Sequence, residues 1–128
     1  MRLLLDTSAL LWFWLKSDRL TSRAAAAVGQ DENAIFVSAI SAMEITTKHR
    51  IGKLPGVEQV IATFEKSLLA DGFIALPLTI EHFLLAGTLP GEHKAPFDRM
   101  LAAQAQVEDI AIVSGDTAFD ALGAHRLW

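Results

Sequence analysis

Four acidic residues stand at positions from which their side chains could act together: Asp6, Glu44, Asp98 and Asp116. Glu44 and Asp98 lie within apolar segments, where ionised carboxylates are rare unless they are paired or bind a metal ion. Carboxylate oxygens are hard ligands and the chain has no cysteine, so the sequence favours Mg²⁺ or Mn²⁺ over zinc. The chemistry that such a site supports is metal-assisted hydrolysis of a phosphodiester.

Each of these acids also has a simpler interpretation. Asp6 and Asp116 both precede predicted helices, and aspartate commonly caps a helix at that position. Residues 41–44 read SAME and fit the S-x-x-E capping box, whose glutamate bonds to the backbone of the cap residue. Asp98 could simply complement the positive end of a helix that begins near Pro96. The sequence leaves these alternatives open.

Several other active-site motifs are absent from the sequence. It has no G-x-x-x-x-G-K-[ST] phosphate loop, no G-x-G-x-x-G, no H-E-x-x-H and no G-x-S-x-G. The four histidines, at positions 49, 82, 93 and 125, are scattered, and we expect surface or core roles for them. His93 is the one to watch, because it lies with Lys94 shortly before Asp98 and could contact a phosphate there.

The elements that must position the acids alternate between strand and helix. We predict strands at residues 2–5, 34–37, 73–76 and 110–113, and an edge strand at 125–127. We predict helices at 8–16, at 21–28, from Ser38 or Ser41 to about 51, at 57–70, after Thr79, at 96–108 and at 117–122. This alternation predicts an α/β fold of three layers, with a mainly parallel sheet of four to five strands and helices on both faces. Asp6 and Asp116 should then lie at the same edge of the sheet.

Length and composition limit the class of protein. The 128 residues, 52% hydrophobic and 20% charged, predict one globular domain over residues 1–128. The lack of cysteine fits a reducing compartment, and we expect a cytoplasmic protein without a membrane span. A net charge of −4 argues against nucleic-acid binding through bulk electrostatics. A local basic patch at residues 48–53 is the exception, although an ordinary solvated helix end is the better explanation of the patch taken alone.

Four motifs, spread over nearly the whole chain, resemble those of one family. They are LLLDTSAL at 3–10, SAMEI at 41–45 followed by KHRIGKL at 48–54, PFDRMLAAQA at 96–105, and VSGD at 113–116. Each is weak alone, but together and in this order they resemble a PIN domain, and more narrowly a VapC-type toxin of bacterial toxin–antitoxin pairs. Two positions depart from the family pattern: Met43 stands where tryptophan is common, and Ala95 where aspartate is common.

The resemblance implies an endoribonuclease that holds Mg²⁺ or Mn²⁺ with Asp6, Asp98, Asp116 and Glu44. Residues that could orient water around the metal are Thr7, Ser8 and Ser114, and a candidate auxiliary acid is Asp120. Candidate RNA contacts are Lys48, Arg50, Lys53, His93, Lys94 and Arg99. The resemblance also implies a homodimer and a small antitoxin that inserts a segment into the acidic site. Candidate interface anchors are Trp12, Phe13 and Trp14, although aromatic residues on a first helix more often belong to the core.

Two other classes of function remain open. One is a catalytically silent PIN-like module that binds RNA or protein, in which the carboxylates cap helices or hold a structural ion. The other is a phosphoacceptor domain that uses Asp6. The second aspartate expected two positions after a phosphatase nucleophile is Ser8 in this chain, which argues against that reading.

Overall fold

The computed structural model of the protein describes residues 1–91 and 95–128. In this part of the chain the strands are β1 (Arg2–Leu5), β2 (Ala34–Ser38), β3 (Ile74–Leu76), β4 (Ala111–Val113) and β5 (Arg126–Leu127). The helices are α1 (Thr7–Trp14), α2 (Ser22–Gly29), α3 (Ala39–Arg50), α4 (Glu58–Ala62), α5 (Phe64–Asp71), α6 (Ile80–Thr88), α7 (Pro96–Val107) and α8 (Ala118–Ala121). None of the helices in the described ranges has the length and apolar character needed to cross a membrane.

The five strands form one parallel sheet in the order β3-β2-β1-β4-β5. In the register of the three central strands, Leu5 lies opposite both Val37 and Val113. The carboxyl ends of β1, β2 and β4 are therefore level with one another. The residues that follow these ends, Asp6 and Ser114 among them, meet at one edge of the sheet, as the sequence predicted.

Both faces of the sheet are covered by helices. Along β1 the side chains alternate: Leu4 belongs to a core shared with α6, α7 and α8, while Leu3 and Leu5 belong to a core shared with α1, α2 and α5. All three leucines are completely buried. A strand buried on both faces reads as a continuous apolar run, which is why β1 is recognisable in the sequence. The predicted α/β fold with three layers is confirmed.

The predicted helix over residues 57–70 is wrong, because the structure divides this segment into α4 and α5. Thr63 lies at the junction, with a φ of −116° that departs from helical geometry. Its hydroxyl donates a hydrogen bond to the Gln59 carbonyl at 2.8 Å. A threonine that bonds back to the preceding turn competes with the helical backbone, and a hydrophobic pattern does not register that competition.

Candidate active site

Asp6 follows β1 directly and is the N-cap of α1. Its Oδ1 accepts a hydrogen bond from the Ala9 backbone N–H at 2.6 Å, and only 8% of the residue is exposed. Burial raises the pKa of Asp6 to about 6, against the opposing effect of hydrogen bonds from Ser114 and Ala9. The negative charges of Asp98 and Glu44 raise it further. Asp6 is thus both a helix cap and a member of an acid cluster, and the two interpretations are compatible.

Glu44 lies in the middle of α3 and does not cap it. The helix begins after Ser38, whose Oγ accepts from the Ile40 backbone N–H at 3.0 Å. The capping-box interpretation of residues 41–44 is therefore wrong. Ser41 instead forms a hydroxyl–hydroxyl hydrogen bond of 2.9 Å with Thr7.

The Glu44 carboxylate is held by two other side chains. Oε1 accepts from the Thr7 hydroxyl at 2.6 Å, and Oε2 forms an ion pair with the Lys48 ammonium at 2.5 Å. Glu44 is 6% exposed, as its apolar surroundings suggested, but Met43 beside it is 58% exposed. The burial of Glu44 thus comes from the helix face it occupies rather than from both sequence neighbours.

The other two acids lie at the entrances to α7 and α8. Asp98 is half-buried in the first turn of α7, which begins at Pro96. Asp116 is exposed in the loop after β4, where its Oδ1 accepts from the Ala118 backbone N–H at 2.9 Å. The Asp116 backbone N–H in turn donates to the Ser114 hydroxyl at 3.0 Å. The loop geometry thus holds Asp116 beside the end of β4.

All four acids line a single cleft of about 660 Å³, which we call the acidic cleft. Of the predicted supporting residues, Thr7 and Ser8 also line it, and Ser114 is buried beneath it. The sequence did not identify several other lining residues, which are Arg19, Ala95, Phe97, Gly115 and Trp128. Ala95, Phe97 and Gly115 are close sequence neighbours of Asp98 and Asp116. Arg19 and Trp128 are distant in sequence from the acids and reach the cleft through long-range packing.

The sequence suggested Asp120 and Arg99 as site residues, but neither of them lines the acidic cleft. Both carboxylate oxygens of Asp120 accept from Arg126, at 2.9 and 3.1 Å. Arg99 donates hydrogen bonds to the backbone carbonyls of Ala86, at 2.9 Å, and Leu89. Its guanidinium therefore joins the start of α7 to the end of α6.

Among the other candidate RNA contacts, only Lys48 lines the acidic cleft within the described residues. Arg50 and Lys53 are exposed outside its lining. His93 and Lys94 lie outside the described residues.

The proposed interface anchors pack mainly within the chain. The Trp12 ring lies against Trp128, with centroids 5.9 Å apart, and lines the cleft. Phe13 packs on Phe73, and Trp14 packs edge-on against Phe64. These aromatic residues on α1 thus have intramolecular partners.

The acids suit a hard divalent cation by type and by position. Within residues 1–91 and 95–128, however, no three His, Cys, Asp or Glu side chains are already gathered tightly enough to hold one. One oxygen of Asp116 accepts from the Ala118 backbone N–H, and one oxygen of Glu44 accepts from Lys48. Burial is the main cause of the raised pKa of Asp6, and the negative charges of Asp98 and Glu44 raise this pKa further. The donor set therefore matches such a cation in its chemistry.

Comparison with known proteins identifies the family and the fold. A profile described as the PIN domain matches residues 3–124. The fold is similar to FitAcB from Neisseria gonorrhoeae, with a TM-score of 0.71 and 22% identity over 98% of this chain and 96% of that chain. It is also similar to VapBC2 from Rickettsia felis bound to a DNA fragment from its promoter, with a TM-score of 0.72 and 16% identity over 99% and 98% of the two chains. A toxin–antitoxin complex from Klebsiella pneumoniae matches with a TM-score of 0.54 and 19% identity over 89% and 86% of the chains. A search of curated protein sequences gives no match.

Proposed function

The chain belongs to the PIN domain family, and from that membership we propose that it is a metal-dependent endoribonuclease acting at the acidic cleft. PIN domains are generally nucleases. The observation that carries the proposal is the convergence of four carboxylates, from the ends of β1 and β4, from α3 and from the start of α7, on one cleft. Such convergence of charge is costly unless a cation is bound there.

In this proposal Asp6, Asp98 and Asp116 hold Mg²⁺ or Mn²⁺, with Glu44 as a fourth ligand. The bound ion would supply Lewis acidity, lowering the pKa of a water ligand and neutralising charge on the phosphoryl oxygens. The chain's own residues keep the ligands in place. Thr7 orients one oxygen of Glu44, and the N-cap bond from Ala9 orients one oxygen of Asp6.

RNA as the substrate rests on the resemblance to VapC-type toxins. The cations of the acidic cleft, Arg19 and Lys48, are placed to meet a phosphodiester backbone. The resemblance also supports a small antitoxin as partner, which would offer an arginine to the carboxylates. The similarity in fold to a toxin–antitoxin complex agrees with this assignment.

A homodimer is the oligomeric state that the resemblance implies, and one helix surface supports it. Ile80, Phe83 and Leu84 of α6 are 78%, 53% and 67% exposed and share one face of the helix. Adjacent exposed apolar side chains of this size commonly mark an interface. We propose that this face packs against a second copy of the chain.

The function is tested by following hydrolysis of single-stranded and hairpin RNA by the purified protein with Mg²⁺, Mn²⁺ or EDTA. We expect cleavage that requires the metal and that is abolished by Asp6→Asn and by Asp98→Asn. Both variants preserve the size of the side chain and remove its charge. Equal residual cleavage by all three proteins would reveal a contaminating nuclease and would contradict the proposed site.

A catalytically silent binding module is the second candidate. The observation that favours it is the Lys48–Glu44 ion pair, which already neutralises one acid without a metal. Binding of RNA without cleavage under every metal condition would support this module. Transfer of phosphate to Asp6 would instead indicate a phosphoacceptor.

A further inference from the structure

One end of the acidic cleft is aromatic. Trp12 from α1 and Trp128, which follows β5, lie with their ring centroids 5.9 Å apart and their planes inclined by 53°. We call these two residues the indole pair. Both rings are half-buried and both line the cleft that contains the four acids. Because the planes are inclined, neither ring stacks face to face on the other.

The backbone at the end of β4 makes room for the indole pair. A side chain at Gly115 would place its Cβ 2.9 Å from Cε2 of Trp128, closer than atoms can approach. The absence of a side chain lets the indole rest against the strand end, immediately beside Asp116. The indole pair and the acids therefore line the same cleft, with Trp128 beside the segment that carries Asp116.

Unlike Phe119 and Trp14, both members of the indole pair line the acidic cleft, although Trp128 also packs against the core shared with α1, α2 and α5. Phe119, a core aromatic residue, is 1% exposed. Trp14 is half-buried like Trp12, but its Nε1 donates to Asp71 at 2.7 Å and its ring packs on Phe64, outside the cleft lining. Trp14 is thus a tryptophan with a structural role, joining α1 to α5, and it can be compared with Trp12 on the same helix.

The acidic character of the cleft weakens electrostatic binding of RNA, and aromatic rings can supply binding that does not depend on charge. Four acids line it against two cations, Arg19 and Lys48, and Lys48 is paired with Glu44. A phosphodiester approaching this wall is repelled until a metal is bound. Affinity for RNA must then come partly from contacts that carry no charge, and stacking of a base on an aromatic ring is such a contact.

We propose that the indole pair is a stacking site for one unpaired nucleobase of an RNA bound in the acidic cleft. The proposal rests on the proposed function and specifies its substrate as single-stranded at this position. Arg19 lines the same cleft, and no hydrogen bond or ion pair within the described residues engages its guanidinium. It would contact the phosphate next to the stacked base. Because every base has an aromatic face, the site accepts any base.

The test measures binding of short single-stranded RNAs in which one abasic position is moved along the strand. All binding measurements use protein that carries Asp98→Asn, in the presence of Mg²⁺, because we expect this variant to leave the RNA intact. Fluorescence anisotropy measures the affinity. With both indoles present, one abasic position should weaken binding about tenfold. With Trp12→Leu added, RNA with and without that base should bind equally. Trp14→Leu is the matched control and should preserve the tenfold difference.

The conservative variant Trp12→Phe keeps an aromatic face and should retain most of the abasic effect. Trp128→Leu removes the other indole and should also abolish the effect, so the proposal stays testable if Trp12→Leu fails to fold. The stacking site is wrong if no abasic position matters, or if the effect survives unchanged in folded Trp12→Leu. Cleavage by the parent protein together with no abasic effect would overturn the stacking site alone. An abasic effect without cleavage by the parent protein would support the stacking site and overturn the nuclease.

Discussion

Two acid–base pairs in this protein differ in their surroundings more than in their chemistry. Glu44 and Lys48 meet at 2.5 Å in the acidic cleft, where 8% of the glutamate side chain is exposed. Asp120 and Arg126 meet at 2.9 Å on the surface, where 56% of the aspartate side chain is exposed. An exposed ion pair contributes little, because water solvates both partners well. A buried carboxylate beside other acids needs its cation, and a change there should have far larger consequences.

The largest expected difference between the two pairs is in catalysis. Glu44→Gln should lower RNA cleavage about a thousandfold, equivalent to about 4 kcal/mol, because in the proposed mechanism this charge helps to hold the metal. Asp120→Asn should change cleavage less than about twofold, a change worth under about 0.5 kcal/mol of barrier. Steady-state rates at saturating Mg²⁺ measure both. Equal losses in the two variants would show that Asp120 takes part in the reaction and that the comparison is wrong.

The second difference concerns stability without metal. Burial raises the pKa of Asp6 from 3.8 to about 6. Neutral Asp6 therefore stabilises the fold fully below pH 3.8, and this stability is lost as the pH rises through 6. Asp6→Asn retains a side-chain oxygen for the N-cap and should raise the free energy of unfolding at pH 7.5 by up to about 3 kcal/mol.

Urea denaturation in EDTA measures this effect, and the gain should shrink toward pH 4. Asp120→Asn should give no comparable gain, since the pKa of Asp120 is lowered by its hydrogen bond with Arg126. A less stable Asp6→Asn at pH 7.5 would mean that burial of this charge is already offset in the folded chain.

The smallest predicted effect concerns competition for Glu44. Lys48 occupies the carboxylate oxygen that a cation would bind, so Lys48→Met should tighten Mg²⁺ binding. We expect about a threefold change, because the Lys48 side chain is 44% exposed and water screens its charge. Isothermal titration calorimetry measures the affinity, with Arg126→Met as the matched control. Weaker Mg²⁺ binding in Lys48→Met would show instead that Lys48 positions Glu44 as a ligand.

The sequence predicts the parts of this molecule that depend on local patterns. Strand β1 and the acid after it are recognisable because a buried parallel strand is a continuous apolar run. Contacts between residues that are far apart in the sequence cannot be predicted from such local patterns. Thr7 binds Glu44 from 37 positions away, and nothing near either residue signals this contact. The same holds for Trp12 and Trp128, and it explains why the aromatic end of the cleft was missed.

Local signals also mislead when two of them compete. Residues 41–44 match a capping box, but the structure uses the other cap that the sequence offered, Ser38 at the end of β2. Thr63 interrupts a helix whose hydrophobic pattern continues through it. In both places a side-chain hydrogen bond to the backbone decides the outcome, and its partner depends on geometry rather than on residue type.

The Arg99 guanidinium makes the position of Asp98 depend on a helix that carries no active-site residue. Arg99 is adjacent to Asp98 and bonds to the last carbonyls of α6, at Ala86 and Leu89. Because α6 does not line the acidic cleft, the hydrogen bonds of Arg99 are a route by which residues outside the cleft contribute to the position of an acid within it.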